Sequence, residues 1–398
     1  MGLAKLAAAA ATAGFVAFCF YGMIRAPRLQ RPWSIVVAIC LALAFVAAIA
    51  WMALNHVLRN LDWWRPVTAV VASAMPFVLY LGIGLAVVAL INLVWSTGQV
   101  ISGTGHLPLD VLLASTRIRF VRVATALAVV AALGLVGFGY REAHHPAVTT
   151  TDVTSPELPA PFDGFRIALL ADIHVGVGLG RPFVQGLVDQ VNAEDPDLVV
   201  IAGDLSNGTP AQLGYDLEPL EELQAPCLVT TGNHEFDVDG QAWIDWLDAH
   251  HLPVLDNTGV VLKRDDASID VLGINDLEGT PPHQADLQAA AQELHDAFGV
   301  PVDGAGRYRI LIAHEPLQVY GQDHLASKLG VDLQLSGHTH GGQFWPINYL
   351  VTKQQPVLDG THVLDGITVV TSRGAGSWGP PERVGAPPEI PLITLHRG

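Results

Sequence analysis

Five short apolar runs in the second half of the chain end in side chains that bind cations, and this restricts the fold more than any other feature. Leu169-Leu170-Ala171-Asp172-Ile173-His174 ends in Asp-x-His, and Leu198 to Asp204 closes on Gly203-Asp204. Cys227 to Glu235 closes on Gly232-Asn233-His234-Glu235, and Ile310 to Glu315 on Ala313-His314-Glu315. The last run, Val331 to Leu335, leads into Ser336-Gly337-His338-Thr339-His340-Gly341-Gly342-Gln343. Runs of this length read as buried strands, and sites in α/β folds lie at the carboxyl ends of strands. Two histidines beyond one strand fit a pair of solvated loop residues. Five such ends in one domain do not.

Charge divides the chain near residue 141. Residues 1–141 hold ten Lys and Arg against two Asp and Glu, about +8; the remainder is about −25, which together give the net charge of −17. The acidic part is a poor partner for duplex nucleic acid, whose phosphates demand Lys and Arg. Cys19, Cys40 and Cys227 form no zinc or disulfide spacing.

The first part contains four stretches with the roughly 20 apolar residues that a bilayer crossing needs, near 6–24, 34–57, 67–95 and 121–140. The first runs into Arg25-Ala26-Pro27-Arg28 without a small-residue cleavage site, so it reads as retained. The first connecting loop carries Arg25, Arg28 and Arg31, and the third carries Arg117, Arg119 and Arg122. The second has Arg59 and Arg65, offset by Asp62. Positive charge marks cytoplasmic loops, so the termini and the acidic domain are expected on the outer face of the cell membrane. The spans contain Asn55, Asn92 and Ser73 but no buried acid or base to suggest an ion path. An anchor is therefore expected rather than a transporter.

Residues 142–161 are rich in Thr, Pro and Ala and read as an extended linker or an edge strand, with His144 and His145 as solvated linker histidines. From residue 162 on, strands are expected near 165–171, 198–202, 226–230, 309–313 and 331–335, between helices near 181–193, 210–223, 240–249 and 283–298. A second group of strands lies near 259–262, 268–272, 363–371 and 391–396. Alternation of this kind predicts two packed sheets with helices outside. Trp243 and Trp246 read as packing residues of one amphipathic helix.

Asp172, His174, Asp204, Asn233, His234, His314, His338 and His340 together suit a borderline divalent metal such as Mn, Fe, Zn or Ni. They outnumber the three or four ligands of one zinc ion and suit two ions about 3.5–4 Å apart, bridged by a carboxylate and a water. Such a pair generates a hydroxide near neutral pH and clamps a phosphoryl group. Asn233 can complete one ion, and His234 can turn away from the metals to donate a proton to the leaving group.

These motifs, in this order, resemble the calcineurin-like metallophosphoesterase superfamily over roughly residues 162–397. The likeness is sharpest to its bacterial membrane-associated branch, through Ser336 to Pro346, Phe162 to Ile167, Ser372-Arg373-Gly374 and Pro387-Pro388-Glu389-Ile390. The resemblance implies a four-layer αββα sandwich behind a four-helix transmembrane region. It implies Asp172, His174 and His340 on a first ion, Asn233, His314 and His338 on a second, and Asp204 as the bridge. His234 matches the catalytic histidine, and Asn233 and His234 would meet the substrate. Relatives often carry a further acid where this chain has Leu205-Ser206-Asn207; that departure is expected to touch no ligand. Arg373 reads as an ordinary surface or core-bracing residue ahead of a phosphate binder, and Glu235 as a residue orienting backbone or a ligand histidine.

The function these readings imply is a membrane-anchored hydrolase of a phosphomonoester, phosphodiester or pyrophosphate, acting on a small phosphoester, a nucleotide or a lipid headgroup. The runner-up is a non-catalytic, metal-dependent binding or scaffold module at the membrane surface. A depleted ligand set would favour that alternative, and every ligand type is present. The metal, the substrate and the oligomeric state are not encoded in any motif.

Overall fold

The computed structural model describes residues 14–58, 64–101, 109–321 and 323–398. The chain divides into two units, the apolar helices up to Gly139 without Arg59–Pro66, and a second unit of Arg59–Pro66 with Tyr140–Gly398. In the first, α1 (Arg31–Leu58), α2 (Trp64–Ala72), α3 (Ala74–Ile101) and α4 (Leu109–Ala143) follow in order. Three stretches are long and apolar enough to cross a membrane, Arg31–Ala50, Val67–Gly98 and Ser115–Ala143. Of the first expected span, residues 6–13 lie outside the described residues, and Gly14–Arg25 forms a shorter apolar helix. Ile35, Ile39, Leu43 and Val46 on α1 are exposed, as a helix solvated by lipid requires. Arg122 Nε donates to Pro27 O at 2.8 Å and its Nη2 to Arg28 O at 3.0 Å, so the two basic loops meet at one end of this unit.

The second unit is built on two sheets. The first has the order β1-β11-β2-β3-β4 and the second β5-β6-β7-β8-β10-β9. In the first, β2 (Arg166–Leu170), β3 (Leu198–Ala202) and β4 (Cys227–Thr230) run parallel, and β11 (Glu389–Arg397) runs antiparallel to β2. In the second, β6 (Ala267–Gly273), β7 (Arg309–Ile312), β8 (Leu333–Ser336) and β10 (Ile367–Thr371) are parallel. Both outer strands there, β5 (Thr258–Arg264) and β9 (Gly360–Leu364), are antiparallel to their neighbours.

Side-chain alternation stacks the layers. Ile167 and Leu169 of β2 point into a core shared with Val200 of β3, Ile269 of β6, Ile310 of β7 and Leu333 of β8, between the sheets. Ala168 and Leu170 point the other way, onto Val184, Leu187 and Val191 of α5 (Arg181–Ala193) and Trp243 of α7 (Gly240–Ala249). Between these two helices comes α6 (Pro210–Leu217). On the far side Leu272 and Leu311 meet Ala290 and Leu294 of α8 (Leu287–Phe298). The result is the four-layer αββα sandwich.

Two local expectations change and one is decided. The segment expected as a linker or edge strand holds β1 (Ala147–Ser155), at the edge of the first sheet and paired in parallel with β11 over its whole length. His144 is half-buried rather than free in solvent, with its Nε2 3.2 Å from Gly178 O and its ring on Tyr140 at 4.2 Å between centroids, while His145 is exposed as expected. The expected single strand at 363–371 is two, β9 and β10, reversing at Asp365-Gly366, where φ is +53° and +81°. Two successive positive φ values make the tight hairpin turn that Asp-Gly favours.

Candidate metal centre

Each ligand-type residue leaves its strand where the parallel strands end. Asp172, His174, Asp204, His338 and His340 all have positive φ, between 48° and 70°. Residues with a Cβ rarely adopt this conformation, and it persists where surrounding contacts impose it. The glycines beside them allow the loops to close on one another. A Cβ on Gly203 would lie 2.5 Å from Gly232 N and 2.8 Å from His314 Nδ1, and one on Gly337 would overlap Asp172 Oδ2.

All eight residues named from the sequence converge. His174 Nε2 lies 3.0 Å from His340 Nε2, and Asp172 Oδ1 is 3.4 Å from His340 Nε2. His338 Nδ1 lies 3.2 Å from both Asn233 Oδ1 and His314 Nε2. Asp204 Oδ2 stands between the clusters, 3.4 Å from His174 Nε2 and 3.2 Å from His314 Nε2. Asp172, His174 and His340 form one group able to hold a cation, and Asp204, His314 and His338 another, each with its ligand atoms within 4.8 Å of one another. The half-buried His234 sits edge-on to His174, at 4.6 Å between centroids, and its backbone N–H donates to Asp204 Oδ1 at 2.9 Å.

The protonation pattern suits cation binding at three of the four ligand histidines; at His314 burial is outweighed by Asp204, which holds the ring well above the ordinary imidazole range until a cation displaces its proton. Burial and the neighbouring His234 push His174 down to about 3, and burial with His314 brings His338 to about 3. Burial and the Arg383 guanidinium hold His340 well below the ordinary imidazole range. Their lone pairs are free at neutral pH, as metal ligation requires. Burial disfavours an ionised Asp204, but His314, His234 and His174 hold it well below the usual carboxylate range. Burial lifts Asp172 to about 7, a cost that an adjacent cation reverses.

The groups around the ligands fix their orientation. His314 Nδ1 donates to Ala202 O at 2.7 Å, which leaves Nε2 facing the site. Glu235 accepts from the backbone N–H groups of Gly232, Leu205 and Asp204 at 2.7, 2.8 and 3.0 Å, tying two ligand loops together. Arg373 is committed to Glu389, with Nη2 2.7 Å from Oε2, which matches its core-bracing reading.

The comparisons with known proteins agree with this arrangement. Residues 165–342 match the model of the calcineurin-like phosphoesterase family. A Helicobacter pylori metallophosphoesterase is 32% identical over 66% of this chain and 68% of its own length. The chain belongs to the calcineurin-like metallophosphoesterases. Two vertebrate members are each named a transmembrane protein with metallophosphoesterase domain. The bovine one is 31% identical over 76% of this chain and 67% of its own length. The zebrafish one is 31% identical over 70% of this chain, and the match spans 63% of that relative.

Within this metallophosphoesterase, two supporting residues escaped the sequence reading. Asn207, in the stretch expected to touch no ligand, has its Oδ1 3.1 Å from His174 Nδ1, so it accepts that proton and leaves Nε2 to the site. Arg383 is buried, and its Nη1 donates to His340 O at 2.7 Å. Its Nη2 lies 2.9 Å from His340 Nδ1. Arg383 Nε also donates to Gly376 O at 2.9 Å, so the guanidinium ties the His340 loop to the 374–376 segment.

Proposed function

We propose that this metallophosphoesterase is a membrane-anchored, dinuclear hydrolase of a phosphomonoester, phosphodiester or pyrophosphate. Asp172, His174 and His340 would hold one divalent ion (Mn, Fe, Zn or Ni), Asn233, His314 and His338 a second, and Asp204 both. The observation that carries this reading is the place of Asp204 Oδ2, within 3.4 Å of a histidine from each cluster. Two divalent ions bound there supply a hydroxide nucleophile near neutral pH and neutralise phosphoryl charge.

The remaining work falls to the chain. Asn207, Glu235 and the Ala202 carbonyl hold the ligands in place before substrate arrives, so that little reorganisation accompanies the reaction. Asn233 and His234 would meet the phosphoryl oxygens. His234, half-buried and anchored through its backbone to Asp204, gives a ring proton to the leaving oxygen. Proton transfer of this kind contributes about 10²–10⁴-fold to rate. In this reading the catalytic unit faces away from the cytoplasm, supported by the arginines of the first and third loops.

The test is turnover of an aryl phosphate monoester and diester by the full chain in detergent with Mn²⁺. Asp204→Ala is expected to abolish activity, and His234→Ala to lower kcat by about 10²–10⁴-fold. Wild-type turnover in either variant would overturn the proposal.

A further inference from the structure

We propose that the rim of the metal centre carries an aromatic patch, Trp345, Tyr349, Leu350 and Trp378, that seats the mouth of the site in the interface of the bilayer spanned by the chain's own helices. Trp345 is 49% exposed, Tyr349 63%, Leu350 55% and Trp378 47%. Trp243, by comparison, is fully buried.

The patch is fixed to the ligand loops. Gln343 lies three residues after His340, and its Nε2 donates to Trp378 O at 2.8 Å while its Oε1 accepts from Trp378 N at 2.9 Å. Trp345 N donates to Val384 O at 2.8 Å, and Val384 N to Gln343 O at 3.0 Å. The single turn Asn348–Val351, which carries Tyr349 and Leu350, follows at once, with Asn348 N bonded to Phe344 O.

Strand direction places the chain's entry into the second unit at this same edge. Leu392 of β11 pairs with Ala168 of β2 in antiparallel sense, so β11 begins where β2 delivers Asp172. Ala147 of β1 pairs with Glu389 in parallel, so β1 also begins at the ligand edge. The last apolar helix ends at Ala143 and β1 starts at Ala147. Four Cα steps allow a leash of about 15 Å. The edge that carries the ligands is thus the edge at which the chain enters the second unit after its last apolar helix.

Charge points to the kind of contact. The second part of the chain is strongly acidic, yet residues 343–358 and 374–381 contain no Asp or Glu, and Lys353 is their one charged residue. Tryptophan and tyrosine settle at lipid headgroup depth, with their rings in apolar surroundings and their polar atoms solvated. The docking is therefore aromatic rather than electrostatic, and requires neither anionic lipid nor low salt.

This inference does not depend on the phosphoester chemistry, so its test uses no substrate. Cys19, Cys40 and Cys227 are replaced by serine, and Tyr349→Cys, Trp378→Cys or Phe298→Cys is labelled with a polarity-sensitive fluorophore. Phe298 is also exposed, at 54%, but closes α8 at the opposite sheet edge. The full chain is placed in nanodiscs of phosphatidylcholine alone. A quencher attached to the lipid headgroup is expected to lower emission at 349 and 378 at least twofold more than at 298, with little change in high salt. Equal quenching at the three positions would overturn the proposal. So would shielding at 349 and 378 in native membranes but not in nanodiscs, since it would assign the patch to a protein partner. If the serine background does not fold, the otherwise unaltered chain and Trp345→Phe/Trp378→Phe are compared for tryptophan quenching by brominated lipid. A smaller quenched amplitude in the double variant, over the constant quenching of the tryptophans in and beside the spans, supports the contact, and an equal amplitude overturns it.

Discussion

Asn207 does for His174 what the Ala202 carbonyl does for His314, accepting the ring proton on the side away from the site. Removing such a partner costs about 10–100-fold in metal affinity. Asn207→Ala should therefore weaken Mn²⁺ binding by that factor in isothermal titration while the chain stays folded; unchanged affinity would deny Asn207 this role. At Gly203 the constraint is steric. With φ at +80° and a virtual Cβ against Gly232 N and His314 Nδ1, Gly203→Ala should cost at least the roughly 1–3 kcal/mol of an unfavourable φ. The readout is a lower melting temperature. The eight ligand-type residues are legible in the sequence because each closes an apolar run, and all but His314 sit beside glycine or within two positions of another ligand. Asn207 and Arg383 are not. Arg383 reaches His340 across 43 positions, and nothing local to Pro380-Pro381-Glu382-Arg383 announces that contact.

The elements follow from local chemistry where the chain supplies it. Continuous apolar runs give β2, β3 and β7, and the alternation of Val331-Asp332-Leu333-Gln334-Leu335 gives β8, nearly where they are expected. The expected helix at 210–223 stops at Leu217 and continues as a 3-10 turn through Pro219, whose ring cannot join an α-helical ladder. The Asp365-Gly366 turn is also written in the sequence, but the apolar run through it reads as one strand. The partner of β1 lies about 240 residues away, a distance that no local pattern encodes. Just ahead of β8, Asp332 accepts the backbone N–H of Arg309 at 2.8 Å, and burial lifts its carboxyl from 3.8 to about 6. The folded chain therefore holds this proton more tightly than the unfolded chain between about pH 4 and 6. That advantage is lost as pH rises through 6. Asp332→Asn keeps an acceptor without the charge, so it should raise the melting temperature at pH 7.5 and leave it unchanged near pH 4. A gain of equal size at both pH values would contradict this account.

At the scale of the whole molecule, the split between a mildly basic, apolar first part and an acidic second part separates anchor from catalytic unit. Arg122, bonded to the backbone of Pro27 and Arg28, gathers the basic loops at one end of the helical unit. On the positive-inside argument, protease added to intact cells should release a fragment of the acidic unit, whereas protection in cells and cleavage only after lysis would reverse the orientation. The account as a whole rests on two cations sharing Asp204. The most direct measurement is the anomalous scattering of Mn²⁺ in crystals of the full chain. Two peaks about 3.5–4 Å apart, flanking the Asp204 carboxylate, are the predicted result. A single peak, or two peaks that do not share Asp204, would contradict it.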